Sequence, residues 1–185
     1  MNTLTEEITL LNQLQNNTTK EQAFRWLISE YKERLYWHIR KIVISHDDTD
    51  DVLQNTFIKV YRSIDKFKGE SKLFSWMYRI ATNEAITFIN KRAKEKNIDI
   101  SDMQFQLASN LDSDTWFDGD KIQIILQKAI ATLPQKQQLV FNMKYFDDMK
   151  YQEISDILDT SVGALKASYH HAVKKIEEYV KFNQH

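Results

Sequence analysis

Cysteine is missing from this chain of 185 residues, and proline and glycine are scarce, at one and three copies. The lack of cysteine excludes disulfides, thiolate metal sites and a cysteine nucleophile, and a reducing cytoplasm is the natural compartment. So little glycine and proline, beside many apolar residues at helical spacing, predicts an all-α fold. No apolar run approaches the roughly 20 residues of a membrane span, and no secretory signal opens the chain. We therefore expect a cytoplasmic protein without membrane insertion.

The charges are segregated along the sequence, although the net charge is only −1. Residues 66–94 hold seven basic and two acidic residues, a net of +5, whereas residues 99–120 hold six aspartates and no lysine or arginine. A basic surface can bind phosphate whatever the total charge is. The alternative is that these charges only solvate helix surfaces; the segregation favours a nucleic-acid partner.

Three amphipathic helices are predicted in the first half of the chain. The first covers about residues 20–43. The second begins in the run Asp47–Asp51, because carboxylates in a first turn complement the helix dipole. The pattern breaks at Gly69, and Ser71 is a candidate cap for a third, unusually apolar helix. We expect residues 1–96 to form one helical domain.

Residues 97–119 predict a flexible acidic linker, because helical periodicity fades where the aspartates accumulate. Trp116 and Phe117 form an apolar spot within it, which we interpret as a contact for a partner. Regular helical spacing resumes near Lys121, and residues 120–185 predict a second domain of four helices.

The segment from Leu133 to Val180 has the pattern of a helix-turn-helix. Pro134 opens a helix, a short amphipathic helix follows, and Asp159–Ser161 is a turn of the length that separates the two helices of this motif. The last helix has an apolar stripe, with lysine, serine and histidine around the rest. Placed in a major groove, its first residues would meet base edges and its lysines phosphates. The alternative is three helices of an ordinary bundle.

No catalytic, metal or cofactor site is predicted. The aspartates of Asp47–Asp51 point in different directions around a helix start and lack the glycine and glutamate of a calcium loop. His170 and His171 are helical neighbours about 100° apart, so they do not chelate one ion. No nucleophile–base spacing or phosphate-binding glycine loop is visible, and an enzyme is the last of the possible functions.

The basic segment between residues 67 and 92 interleaves cations with aromatic and polar residues. This mixture is typical of single-stranded DNA binding, in which bases stack while the backbone is held electrostatically. Trp76 and Phe74 are more readily explained by the core of a small helical domain than by stacking on bases. The polar pair Thr82–Asn83, one turn after Arg79, is the better candidate for reading unpaired bases.

Three motifs resemble a known family. Asp48-Thr-Asp-Asp-Val-Leu-Gln-Asn-Thr-Phe-Ile-Lys-Val-Tyr61 is similar to region 2.2 of the sigma-70 family of RNA polymerase sigma factors. Phe67-Lys-Gly-Glu-Ser-Lys-Leu-Phe-Ser-Trp-Met-Tyr-Arg-Ile-Ala-Thr-Asn83 resembles regions 2.3 and 2.4. Leu133-Pro, Tyr151-Gln-Glu-Ile and Ser161-Val-Gly-Ala-Leu-Lys166 resemble region 4. Their order and spacing resemble the compact extracytoplasmic-function (ECF) group, which keeps only regions 2 and 4.

The resemblance implies a transcription initiation factor that binds core RNA polymerase, through the β′ clamp helices and the β subunit, and promoter DNA. An anti-sigma factor is a common further partner in this family. Region 2.2 implies a polymerase-binding set: Asp51, Gln54, Asn55, Phe57, Lys59 and Tyr61. Regions 2.3 and 2.4 imply a set that captures and melts the minus-ten element: Lys68, Lys72, Trp76, Arg79, Thr82, Asn83, Lys91 and Arg92. Region 4 implies a set that reads the minus-thirty-five element: Ser161, Lys166, Ser168, His170, His171 and Lys174.

The chain departs from the family pattern at three places. Asn55 stands where an acid is frequent, and Asp159 stands where the recognition turn usually has glycine. Ser168 and His171 replace arginines, the commonest readers of guanine, which predicts a different minus-thirty-five sequence. The acidic linker is expected to thread toward the active-site cleft and RNA exit path of the polymerase.

Two alternatives from other classes stay open at this point. A stand-alone helix-turn-helix regulator would bind a palindromic duplex tightly without polymerase. A protein–protein adaptor would show no salt-sensitive DNA binding.

Overall fold

A computed structural model describes residues 3–111 and 121–183. Within these ranges the chain forms nine α-helices, one 3₁₀ turn and no strand, which confirms the all-α prediction. The helices are α1 (Thr3–Leu14), α2 (Lys20–Val43), α3 (His46–Ser63), α4 (Leu73–Lys96), α5 (Ile100–Ser109), α6 (Lys121–Ala131), α7 (Gln135–Tyr145), α8 (Tyr151–Leu158) and α9 (Val162–Asn183). Over the described part of the chain, no helix has the length and apolar character that crossing a bilayer requires.

Helices α2, α3 and α4 pack on one another as a three-helix bundle, with α1 against α2. Helix α3 begins in the aspartate run as predicted, behind Ser45, whose hydroxyl accepts the amide of Asp48 at 3.5 Å. Large side chains of all three helices are buried in the bundle: Leu35, Ile39, Val52, Val60, Met77 and Ile89. Apolar residues at helical spacing on all three helices therefore account for the bundle.

The turn between α3 and α4 falls at Gly69, whose φ of +73° is readily adopted by glycine. Helix α4 then starts at Leu73, with Lys72 rather than the expected Ser71 at the cap position. The amide of Leu73 donates to the carboxylate of Glu7 at 2.5 Å. Helix α1, which the sequence pattern did not predict, thus supplies a negative charge to the N-terminus of α4.

Helices α7, α8 and α9 form the predicted helix-turn-helix. Pro134 stands at the cap of α7, and the carboxylate of Glu153 accepts the amide of Lys150 at the start of α8, at 3.0 Å. Asp159 ends α8 in the left-handed conformation, with φ 50° and ψ 51°. The turn is therefore built as the motif requires, with aspartate in the place that favours glycine.

The prediction of an irregular linker over residues 97–119 is wrong for its first part, where α5 lies. Met103 and Ala108 are buried, and the side-chain amide of Gln104 donates to the carbonyl of Ile42 at 2.9 Å. The reason is that four apolar residues at helical spacing, from Met103 to Leu111, outweigh the local acidity, and Asp99 and Asp102 sit at the helix start, where negative charge is favourable. The rest of the expected linker, with Trp116 and Phe117, lies outside the described residues.

One apolar cluster crosses the expected boundary between the two halves of the chain. It joins residues of α2, α3 and α4 to residues of α7, α8 and α9. Tyr78 of α4 belongs to it together with Met143 of α7 and Ile154 and Ile157 of α8, and each of these side chains is at most 3% exposed. We call this packing of α7 and α8 on α2 and α4 the closed arrangement.

Candidate nucleic-acid and protein interfaces

Helix α9 presents one polar stripe to solvent. At 100° per residue, Gly163, Lys166, His170 and Lys174 lie within a narrow sector, opposite the buried Leu165 and Ala172. The side chains of this sector are exposed. A small residue followed by cations and imidazoles at helical spacing is a surface that can enter a major groove and contact phosphates and base edges.

The other residues predicted to read the minus-thirty-five element lie around this stripe. The hydroxyl of Ser161 accepts the amide of Ala164 at 3.3 Å, so it caps α9. Ser168 is half-buried at the edge of the stripe, and His171 is exposed beside His170, with ring centroids 5.9 Å apart. The ammonium of Lys166 lies 5.9 Å from the ring centroid of Tyr151, which links it to α8.

Three residues of the predicted minus-ten set are engaged by other parts of the chain. Lys72 Nζ lies 3.3 Å from Glu153 Oε1, and Arg79 donates from Nε to the main-chain carbonyl of Asp156 at 3.1 Å and also from Nη2. Thr82 is 2% exposed. Glu153 and Asp156 both belong to α8, so α8 occupies the side of α4 on which DNA binding was predicted.

The remaining members of the predicted minus-ten set are not gathered at one point. Trp76 packs on Phe67, with ring centroids 5.0 Å apart, as the core alternative anticipated. Arg92 pairs with Asp48 of α3. Lys68, Asn83 and Lys91 are exposed, and Asn83 lines a cavity of about 460 Å³ between α4 and the turn after α8.

The predicted polymerase-binding residues lie on α3, mostly on its outer side. Asp51, Gln54 and Asn55 are exposed on one face, and Lys59 pairs with Glu84 of α4, with Nζ and Oε1 2.5 Å apart. Tyr61 is 37% exposed and packs edge-on against Phe24 of α2, with centroids 4.9 Å apart. An acid, two amides and a tyrosine on one helix give a surface suited to a helical protein partner.

Phe57 is the exception, because it is 8% exposed and belongs to the core. It forms the floor of an apolar groove between α2 and α3, whose walls include Phe24, Ile28 and the 43% exposed Ile58. This groove was not predicted from the sequence. Ile58 lies four residues after the exposed Gln54 and therefore on the same face of α3. This spacing is the sequence signal that Ile58 is exposed.

A buried polar cluster lies between α2 and the loop after α7. His38, 1% exposed, lies 3.3 Å from Asp147 through Nδ1 and Oδ2, and 2.8 Å from the Thr82 hydroxyl through Nε2. That hydroxyl donates its single proton to the carbonyl of Tyr78 at 2.7 Å, so the imidazole donates to it. Asp147 also pairs with Lys41.

The surroundings of Asp147 favour its ionised form. Burial opposes the ionised form of Asp147, but the hydrogen bonds and positive charges of His38 and Lys41 outweigh it, and the pKa of Asp147 is held below its usual value. Burial raises the pKa of the neighbouring Tyr78, which therefore stays neutral at physiological pH. The cluster holds the loop after α7 on α2 and α4.

Comparison with known proteins identifies both halves of the chain. Residues 27–95 match the family model of sigma-70 region 2, and residues 123–176 match that of sigma-70, region 4. The chain is 29% identical over 169 residues to the ECF RNA polymerase sigma-E factor of Haemophilus influenzae, covering 87% of this chain and 89% of that one. It is 27% identical over 186 residues to the protein of the same name from Escherichia coli K12, covering 96% and 95%.

Solved structures share the fold. CnrH, in complex with the cytosolic domain of CnrY, superposes with a TM-score of 0.70 at 19% identity, over 96% of this chain and 99% of CnrH. The sigma factor RpoE of Bartonella quintana, in complex with the anti-sigma factor NepR, superposes with a TM-score of 0.65 at 21% identity, over 87% and 98%. With regions 2 and 4 matched in order, the chain belongs to the ECF group of the sigma-70 family of RNA polymerase sigma factors.

Proposed function

We propose that this ECF sigma factor directs transcription initiation through three surfaces with separate tasks. As a sigma factor it binds core RNA polymerase and promoter DNA and has no enzymatic activity of its own. The observation that best supports the division of tasks is the distribution of exposed side chains. The outer face of α3, the basic side of α4 and the polar stripe of α9 lie on the segments that match regions 2 and 4.

The α3 surface docks on the polymerase. Gln54 and Asn55 supply hydrogen bonds, and the groove beside Ile58 supplies apolar area for a helix of the clamp. Apolar anchors in a groove carry most of the energy of such an interface, while exposed polar residues set its register.

The α9 stripe holds the upstream duplex. Lys166 and Lys174 neutralise phosphates, His170 and His171 contact base edges, and Ser168 and His171 stand where arginines are common in the family. A neutral imidazole is a weaker guanine reader than the bidentate guanidinium. We therefore propose a minus-thirty-five sequence less rich in guanine contacts than that of arginine-bearing relatives.

The α4 surface captures unpaired bases of the minus-ten element. Arg79 and Lys72 hold the strand, and Asn83 reads a base through its amide. Unstacking a base costs a few kcal/mol, and a binding site for the unstacked base offsets this cost. Promoter melting then follows from binding, without a chemical step.

Binding to core polymerase is the first experiment. Purified bacterial core enzyme is mixed with the wild type, with the double variant Gln54→Ala/Ile58→Ala, and with Ile122→Ala, a control in which a 63% exposed isoleucine on α6 is removed. We expect stoichiometric binding by the wild type and the control, and loss of at least about tenfold in affinity for the double variant. Equal binding by all three would exclude the α3 surface as the docking site.

The match to region 2 separates this function from a stand-alone helix-turn-helix regulator, which would need no polymerase-binding segment. We propose that the protein acts in the cytoplasm, where the polymerase works. An anti-sigma partner stays a prediction for this chain. So do the domain bounds 1–96, 97–119 and 120–185.

A further inference from the structure

A further cavity lies between α2, α6 and the loop after α7. Its volume is about 550 Å³, within the roughly 300–1,000 Å³ that small-molecule sites occupy. Its walls come from both halves of the chain, with α2 and Tyr78 of α4 on one side and Gln127 of α6 and Phe146 on the other. None of the residues that line it belongs to the predicted polymerase or DNA sets. The cavity is therefore separate from the surfaces that the proposed function uses.

Most of the cavity lining is apolar or aromatic. Ile44, Tyr78 and Leu111 are at most 8% exposed and form its buried floor. The rings of Trp37 and Phe146 are 48% and 38% exposed and lie toward solvent. Aromatic side chains attract a flat ring beyond the gain from burying its apolar area. The lining therefore favours a ligand with an aromatic body.

Cations outnumber acids around this apolar lining. Arg34, Arg40 and Lys41 line the cavity together with the carboxylates of Glu33 and Asp147. Lys41 is paired with Asp147, which leaves the two guanidinium groups beside Glu33. Glu33 is exposed, so water weakens the field of its charge inside the cavity. The balance of charge favours a negative ligand.

The two guanidinium groups provide the hydrogen-bond donors for such an anion. Arg40 is 7% exposed, whereas Arg34 lies on the solvent side, with its Cζ 4.6 Å from the ring centroid of Phe74. A guanidinium has five N–H donors in a planar fork, so each can bind an anion in addition to its contacts within the chain. Hydrogen bonds between ionised partners are stronger than neutral ones, above all where water is scarce.

We propose that this cavity is a binding site for a small aromatic anion, a carboxylate or sulfonate. Its ring would lie among Trp37, Tyr78 and Phe146, and its charge would meet Arg34 and Arg40. Because the walls belong to both halves of the chain, a bound ligand stabilises the contact between them, and more so as its concentration rises. The sigma factor thereby has a site for a chemical signal apart from its polymerase and DNA surfaces.

A pair of dyes tests the preference for an anion. Anilinonaphthalene sulfonate is an aromatic anion whose fluorescence rises in apolar surroundings, and phenylnaphthylamine has the same rings without the charge. We expect the sulfonate to bind the full-length chain with a stoichiometry of one and to raise the midpoint of thermal unfolding. The neutral dye should bind at least about tenfold more weakly. Equal affinity for the two dyes, or no binding of the sulfonate, would overturn the proposal.

A matched pair of variants tests the role of charge at the cavity. Arg34→Gln removes a cation from the lining, whereas Lys32→Gln removes an equally exposed cation of α2 that does not line the cavity. The sulfonate should bind Arg34→Gln about tenfold more weakly than the wild type and Lys32→Gln as tightly as the wild type. Equal losses in the two variants would mean that total charge attracts the dye, and the proposed site would be wrong.

A second pair of variants distinguishes this cavity from the apolar groove of α3. Gln127→Trp enlarges a half-buried wall residue and should abolish binding of the sulfonate by filling the cavity, while its unfolding midpoint without dye shows that it folds. Ile58→Ala removes apolar area from the α3 groove and should leave the affinity for the sulfonate unchanged. Binding that is lost in Ile58→Ala and kept in Gln127→Trp would place the dye in the α3 groove and overturn the proposal.

Discussion

Asp159 occupies a turn position at which the family usually has glycine, and its backbone conformation explains that preference. Its φ of 50° is left-handed, and aspartate adopts this region at a cost that glycine avoids. We expect Asp159→Gly to raise the free energy of unfolding by up to about 1 kcal/mol, because relief of strain exceeds the added entropy of the unfolded chain. Thermal or urea unfolding measures the change.

The control at this position is Asp159→Ala, which removes the same exposed carboxylate but keeps a Cβ in the left-handed region. It should lower the stability by about 1 kcal/mol. If the glycine and alanine variants shifted the unfolding midpoint in the same direction, loss of the carboxylate charge rather than a change in backbone strain would explain the change in stability.

Lys166 offers a prediction about DNA affinity. Its ammonium lies on the exposed stripe of α9 near the start of the helix, so we expect it to neutralise one phosphate. In a holoenzyme bound to a promoter selected from a random library, Lys166→Ala should weaken binding and reduce the slope of log K against log salt by about one. Binding to core polymerase should be unchanged.

Lys181→Ala is the matched control for Lys166→Ala. Lys181 is also exposed on α9, but about 22 Å further along the helix axis. Its removal should leave the salt slope as it is. A loss equal to that of Lys166→Ala would mean that the lysines act through the total charge and not through a defined contact.

Single residues also show where prediction from sequence fails. The exposure of Gln54, Asn55 and the α9 stripe follows from helical periodicity, which sorts residues onto faces. Phe57 and Thr82 were predicted as contacts, yet they are buried. Periodicity does not tell which polar residue of a helix a distant element covers, because that depends on packing between segments far apart in sequence.

At the scale of whole elements, α5 is the clearest test of packing. If residues 97–111 were an irregular linker, truncating Met103 would change little. As a buried side chain of α5, Met103→Ala should instead lower the free energy of unfolding by about 2–5 kcal/mol. Phe105→Ala, on the 37% exposed side of the same helix, should cost less than about 1 kcal/mol. Urea unfolding of the two variants distinguishes the two structures.

The helices that could be predicted are those with long, regular apolar spacing, namely α2, α3, α4 and the helix-turn-helix. Helix α5 has only ten residues and begins among aspartates, so composition and periodicity pointed in opposite directions. The N-terminus of α4 is a similar case. The local signal favoured Ser71 as its cap, whereas Glu7, 66 residues away, provides the hydrogen bond. Contacts between residues far apart in the sequence therefore determine how such a helix end is capped.

At the scale of the whole molecule, the closed arrangement is the feature that sequence reasoning did not reach. Each half of the chain has the residues of an independent helical domain. The faces of α4 and α8 that meet carry apolar residues, and the sequence pattern alone assigns each of them to the core of its own half. Only the structure shows that Tyr78 and Ile157 share a cluster. Two segments that look independent in the sequence therefore pack on one another in the structure.

The Asp147 cluster makes the stability of the closed arrangement dependent on pH. A carboxylate whose pKa is lowered by folding stabilises the folded state above its unfolded pKa of about 3.9, and this contribution is lost as the pH falls through the lower folded value. We expect Asp147→Asn to lower the free energy of unfolding by about 2 kcal/mol near pH 6. The difference from the wild type should shrink steadily once the pH falls below about 4.

Unfolding curves recorded from pH 6 down to pH 3 provide the measurement, with Asp148→Asn as the reference. Asp148 lies in the same loop, but its side chain is almost fully exposed. The free energy of unfolding of Asp148→Asn should therefore change with pH in the same way as that of the wild type. A deficit in Asp147→Asn that stayed constant down to pH 3 would show that the carboxylate contributes through shape alone. A deficit that vanishes with acid would instead show that the charge of Asp147 stabilises the contact that holds α7 and α8 against α2 and α4.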